Sequence, residues 1–222
     1  MNSGVSNPAS NSTSHTTIYL LRHGAIQPPG GGKRYIGSLD LALSRSGLDQ
    51  ARTWARYFSD AGLDEIYCSD LSRCLETARI IGARCALAPR PVPELREISL
   101  GSWEGRRFET IKSRYPHEFE QRGAQMADHR PPGGESFRDL LQRSWPIFAA
   151  AARGEGTRTL MVTHAGVIRV ILCRILGMPL ENLFSIGQDY GALNVVGVRR
   201  GTCRVQALNL PTPATQADRS AP

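Results

Sequence analysis

No segment of the chain is apolar for long enough to cross a bilayer, and the first residues, MNSGVSNPASNSTSHTT, lack the charged start and apolar stretch of a signal peptide. A cytoplasmic location with no membrane partner is the expectation. Cysteine is sparse: Cys68, Cys74, Cys85, Cys173 and Cys203 are odd in number and include no CxxC pair, which argues against a disulfide framework and a cysteine zinc site. Lysine is nearly missing, since Lys33 and Lys112 are the two exceptions to arginine among 27 basic residues. Set against 20 acidic residues these give a net charge of +7, compatible with nucleic acid, an anionic small molecule or a merely basic surface. The arginines form no basic tract, and neither an aromatic-rich RNA motif nor a zinc finger accompanies them, so no nucleic-acid partner is expected. A P-loop is absent as well, because Lys33 in GGGKR is followed by Arg34 where that loop needs Ser or Thr.

What is present is enough for one core: 222 residues with 41% hydrophobic content call for a single domain. Residues 1–16 and 211–222 are polar and read as flexible tails, leaving 17–210 as the folded part. Within it, apolar runs alternate with helical patterns: TIYLL, a helix near SRSGLDQARTWARYFSDAG, EIYCS, then a helix near LSRCLETARIIGARC. That order predicts an α/β fold built of parallel units. A polar middle follows, with helices around RRFETIKSRYP and ESFRDLLQRSWPIFAAAARG; the span from about 104 to 156 is expected to form a helical lid. The last third offers a buried strand TLMVT, a helix GVIRVILCRILG and two further strands near ALNVVGVRR and CRVQALNL.

TIYLLRHG and TLMVTHAG share one grammar, an apolar strand running into a histidine and then a glycine. In open α/β sheets the carboxyl ends of strands line the ligand crevice, so His23 and His164 are expected to converge there. Either histidine alone is more simply a strand terminator, and Arg22 alone a surface ion pair. Arg73 is harder to dismiss. In SDLSRCLETA, Ser69, Asp70 or Ser72 is placed to cap a helix whose first turn then holds Arg73, a cation opposing the helix dipole. A bound anion, phosphate above all, accounts for it, since the same helix start offers free N–H groups.

Cleaving a phosphate ester takes cations on the equatorial oxygens, an in-line nucleophile and a proton for the leaving oxygen. Arg22, Arg73 and a protonated His164 are assigned to the oxygens. His23, kept neutral by those cations and held in one tautomer by a backbone carbonyl, is assigned as nucleophile. For the proton donor, PELREISLGSWEG offers Glu94, Glu97 and Glu104, and spacing does not choose among them.

LLRHG, SDLSRCLETA, LREISLGSWEG and VTHAGVIR, in that order, resemble the nucleophile, second-arginine, acid-loop and second-histidine segments of the histidine phosphatase superfamily, which includes cofactor-dependent phosphoglycerate mutase. The resemblance covers most of residues 17–210. It implies one three-layer α/β/α domain, phosphoglycerate mutase-like, with a mostly parallel central sheet. It also implies that His23 is phosphorylated, that Arg22, Arg73 and His164 hold the phosphoryl group, that Glu97 is the proton donor, and that Arg34 contacts substrate. No cofactor and no metal are implied. Ala25 and the stretch QPPGGG depart from the pattern, where many relatives carry Glu and an Asn near the phosphate. The shortness of the span between Glu97 and His164 is similar to that in small phosphatases such as α-ribazole phosphatase. The expected activity is therefore hydrolysis of a small phosphorylated metabolite, α-ribazole phosphate or a sugar phosphate among the candidates. A phosphoglycerate mutase-type phosphoryl transferase and a non-catalytic phospho-ligand binding module are the alternatives. The number of subunits stays open, a homodimer being one option.

Overall fold

The computed structural model describes residues 15–28 and 30–213. Six strands, β1 (Thr16–Arg22), β2 (Glu65–Cys68), β3 (Arg90–Pro91), β4 (Arg158–Thr163), β5 (Leu193–Arg199) and β6 (Thr202–Leu210), form one sheet in the order β3-β2-β4-β1-β5-β6. The pairs β3/β2, β2/β4 and β4/β1 are parallel, while β5 runs antiparallel to β1 and β6 antiparallel to β5. The expected α/β fold with a mostly parallel sheet is what is found. Thr16, placed within the polar tail of 1–16, instead opens β1: it is buried, and its hydroxyl donates to the Gly154 carbonyl oxygen. The rest of that expected tail through residue 14, and 214–222 of the other, lie outside the described residues.

Alternation along β1 explains the layers. Ile18 and Leu20 point into one apolar cluster, Leu21 into another on the opposite face. The Leu21 side is covered by α1 (Arg45–Phe58) and α2 (Ser72–Cys85). Each buries a stripe at i, i+3, i+4 and i+7: Ala51, Trp54, Ala55 and Phe58 in α1; Cys74, Thr77, Ala78 and Ile81 in α2. Ser44 starts α1 by accepting a hydrogen bond from the Gly47 N–H through its hydroxyl. The Ile18 side is covered by α5 (Phe137–Ala151) and α6 (Ala165–Leu176). α6 is buried nearly all round, from Val167 to Cys173, and stops at Gly177, whose φ of 64° suits a glycine C-cap. A Ser136–Asp139 capping box begins α5.

Two short helices, α3 (Phe108–Arg114) and α4 (Pro116–Ala124), precede α5. Of the span 104–156, these two flank the main cavity through Phe108, Phe119, Arg122 and Gly123, whereas α5 packs on α6 and reaches the cavity through its first residue, Phe137.

Candidate active site

Sheet register brings the two histidines together. Arg22 at the end of β1 pairs with Thr163 at the end of β4, so the next residues, His23 and His164, leave neighbouring parallel strands at one level. Their ring centroids stand 5.1 Å apart, edge to face. On the other side of β4, Cys68 of β2 pairs with Val162, which sets Ser69 level with Thr163 and its hydroxyl 2.9 Å from His164 Nε2. Ser69, His164 and His23 thus form a row across three strand ends. The sequence offers Ser69 only as a candidate helix cap; the register, invisible in sequence, gives it this place instead.

The His23 ring is fixed at both nitrogens. Nδ1 lies 2.8 Å from the Gly24 carbonyl oxygen and donates to it, leaving the Nε2 lone pair to accept from Arg73 Nε at 3.2 Å. Gly24 is required by packing: a Cβ there would fall 2.4 Å from the Gly47 carbonyl oxygen. Burial pushes the His23 pKa well below the ordinary histidine range, and Arg73 and then Arg22 push it the same way. The ring is therefore neutral, and its Nε2 lone pair, which here accepts from Arg73, is the one a nucleophile needs. His164 is also fully buried, and burial, Arg73, His23 and Arg22 hold it well below the usual range. Burial and the neighbouring cations thus favour a neutral His164, where a protonated ring was expected from sequence, and the arginines carry the fixed positive charge of the site.

Arg73 is 1% exposed and tightly held. Nη1 donates to the Leu39 carbonyl oxygen at 2.8 Å and Nη2 to that of Gly37 at 2.7 Å, so the fork is anchored while Nε faces His23. Its place in the first turn of α2 is as expected, but none of the three expected side chains caps that helix. Leu71 occupies the N-cap without a side-chain bond, and Asp40 reaches across from the 37–40 loop to accept from Ser72 N at 2.8 Å and Ser72 Oγ at 2.6 Å. Asp70 pairs instead with Arg96.

The three glutamates separate cleanly. Glu97 Oε2 accepts from Gly166 N at 2.9 Å, at the positive end of α6, and Oε1 from its own neighbour Ile98 N. Glu104 holds the loop that holds Arg73, accepting from the N–H groups of Gly37, Ser38 and Leu39. Glu94 is exposed. Arg143 of α5 locks the acid loop by donating to the carbonyl oxygens of Glu94, Arg96 and Glu97. No sequence pattern marks this role of Arg143, because the carbonyl oxygens it holds lie more than forty residues away.

Arg22 stacks over Tyr190, with Cζ 3.8 Å from the ring centroid, and its Nη1 donates to the Gln188 carbonyl oxygen at 2.5 Å. Gly191 N donates to the His23 carbonyl oxygen and Trp54 Nε1 to that of Gly191, which pins this loop beside the histidine. A cavity of about 600 Å³ opens here, lined by Arg22, Glu97, Gly166 and Tyr190 and, beyond them, by Arg34, Arg122 and Arg169. The imidazoles are not part of its lining; His23 is 3% exposed, lying behind Arg22 and Tyr190. Arg34 lines the cavity, with Nη1 on the Gly105 carbonyl oxygen, and its buried Nε has no partner; the buried Nε of Arg22 is likewise free. Such donors suit an anion. Arg169, one turn along α6 from Gly166, is a further cation that sequence reading missed. Among the described residues no cluster of His, Cys, Asp or Glu is placed to hold a metal ion.

Residues 18–211 match the histidine phosphatase superfamily (branch 1). The chain is 26% identical over 193 residues to the adenosylcobalamin/alpha-ribazole phosphatase of Escherichia coli (strain K12), covering 86% of this chain and 95% of that protein. It is 30% identical over 212 residues to human 6-phosphofructo-2-kinase/fructose-2,6-bisphosphatase 4, covering 93% of this chain and 42% of that longer protein. A solved mycobacterial glucosyl-3-phosphoglycerate phosphatase superposes with a TM-score of 0.78 at 28% identity, covering 89% of this chain and all of that one.

Proposed function

Because this chain belongs to the histidine phosphatase superfamily, we propose that it hydrolyses a small phosphorylated metabolite through a phosphohistidine formed on His23. The observation that carries the reading is the state of His23: a neutral imidazole whose Nδ1–H is committed to Gly24, so that Nε2 is the nucleophilic atom. In this mechanism Arg22, Arg73 and His164 bind the phosphoryl oxygens, and an oxygen of the substrate takes the Arg73 Nε–H away from His23 Nε2. The P–N bond forms as the ester P–O bond breaks, and Glu97 gives its proton to the departing oxygen. Water then attacks phosphorus, passes a proton to the Glu97 carboxylate, and frees phosphate and His23. Every step uses the chain's own side chains, with no cofactor and no metal.

The substrates named for the relatives, α-ribazole and glucosyl-3-phosphoglycerate phosphoesters, together with sugar phosphates, are the first compounds to test. Cytoplasm suits a protein whose five cysteines are all free thiols, and no helix among the described residues is long and apolar enough to cross a membrane. Phosphate release from p-nitrophenyl phosphate and that panel, with EDTA present, tests the reading. Release by the wild type and none by His23→Ala is the expected result. Release that persists in His23→Ala, or that EDTA abolishes, overturns the mechanism.

A further inference from the structure

Arg122 of α4 is the unexplained cation of this cavity. It is 8% exposed, although Glu120 and Gly123 on the same helix are exposed. Its guanidinium lies 5.9 Å from the Trp103 ring centroid and 5.5 Å from that of Phe137. No carboxylate pairs with it among the described residues, and its buried Nη1 has no hydrogen-bond partner. Arg73, the other buried arginine among the described residues, is by contrast satisfied by two carbonyl oxygens, and the half-buried Arg143 by Glu135 and three carbonyl oxygens. A guanidinium largely out of water, with ring faces beside it and one buried N–H unpaired, carries a desolvation penalty that a ligand anion reduces. Around it the cavity wall is apolar and ring-rich, with Tyr35 stacked on Phe108 at 4.0 Å, and with Phe119, Phe137 and Phe184.

We propose that the leaving alcohol of the substrate carries a second anionic group, bound by Arg122, on an apolar body seated among these rings. This rests on the phosphoester reading above and narrows it: the phosphoryl group lies with Arg22 and Glu97, the second anion with Arg122. A carboxylate and a second phosphate share the required chemistry.

Three esters with similar phenol leaving groups separate the cases: 4-ethylphenyl, 4-(carboxymethyl)phenyl and 4-(phosphonomethyl)phenyl phosphate. Wild type should show kcat/KM at least about tenfold higher for an anionic member than for the ethyl member, the value of one charge-assisted hydrogen bond. Whichever anionic ester is faster identifies the group. Arg122→Gln should bring the ratio close to one, and Arg122→Lys should retain part of it. Reading the ratio within each protein cancels any general loss of activity, and thermal unfolding reports whether each variant folds. The same three ligands, titrated calorimetrically into His23→Ala, give the ratio as binding constants. If no ester turns over, the phosphatase reading fails while this binding series still decides Arg122. A wild-type ratio of one or less, or a ratio unchanged in a folded Arg122→Gln, overturns the proposal.

Discussion

Two neutral, fully buried histidines make stability depend on pH in a window that can be worked out. His23 and His164 both have folded pKa values well below the ordinary value, chiefly through burial and then through Arg73. The unfolded chain, with histidines titrating near about 6.5, therefore binds more protons below that pH than the folded one. Stability from this source is complete above about 6.5 and is lost as pH falls through it toward the folded values. At pH 5.5 each unfolded histidine gains about 1.4 kcal/mol from protonation, against about 0.1 kcal/mol or less at pH 7.5. The pair should cost about 2.7 kcal/mol over those two units. With a urea slope of about 3 kcal/mol per molar, the denaturation midpoint should fall by about 0.9 M. The measurement is urea unfolding at both pH values in phosphate-free buffer, since an anion bound to the folded site would add its own stabilisation. The lowered carboxylates, Asp70, Asp128 and Glu135 among them, titrate below this window. His129 is lowered too, by burial and then Arg122, so a His23→Asn/His164→Asn variant should keep a remnant of the effect and lose most of it. A midpoint equal at the two pH values, or an undiminished drop in the double variant, would refute the assignment of neutral rings.

Gly166→Ala would set a Cβ 2.2 Å from Glu97 Oε1 and 3.2 Å from Leu140 Cδ2 at an ordinary φ, displacing chiefly the acid; turnover of an alkyl phosphate should fall about 10²-fold or more, and that of p-nitrophenyl phosphate, which needs little protonation, far less. Asp40→Ala removes the acceptor for Ser72 N and Oγ at the start of α2 and should cost about 1 kcal/mol in urea unfolding. Arg73→Lys keeps the charge and loses the anchored fork with its Nε–H toward His23; steady-state kinetics should show kcat falling more than KM rises. Weaker binding at equal kcat would contradict a transition-state role for Arg73.

Much of the fold is legible along the chain because its causes are local. Each helix of the sheet layers shows its apolar stripe within a few turns, and each core strand is a short apolar run with a break after it. The glycine and histidine that follow β1 and β4 are readable for the same reason. The cap of α1 is local, with Ser44 acting three residues away, whereas that of α2 is illegible along the chain, because Asp40 acts from thirty-two residues upstream. How strongly burial favours a neutral His164 is not legible along the chain, because residue type says nothing of how deeply a ring is buried.

The sequence by itself determined the order of the longer elements but not the short β3 and α4, and it determined the α/β class, the two strand-ending histidines and the arginine in the first turn of α2, all properties of short stretches. Only the tertiary structure decided that β1 and β4 lie side by side in register, and with that the His23–His164 pair and the place of Ser69. It also decided which glutamate meets the start of α6, which arginines point inward without partners, and how far burial drives the histidine pKa values. These depend on strand order and on exclusion of water, and neither exists until distant segments have packed together.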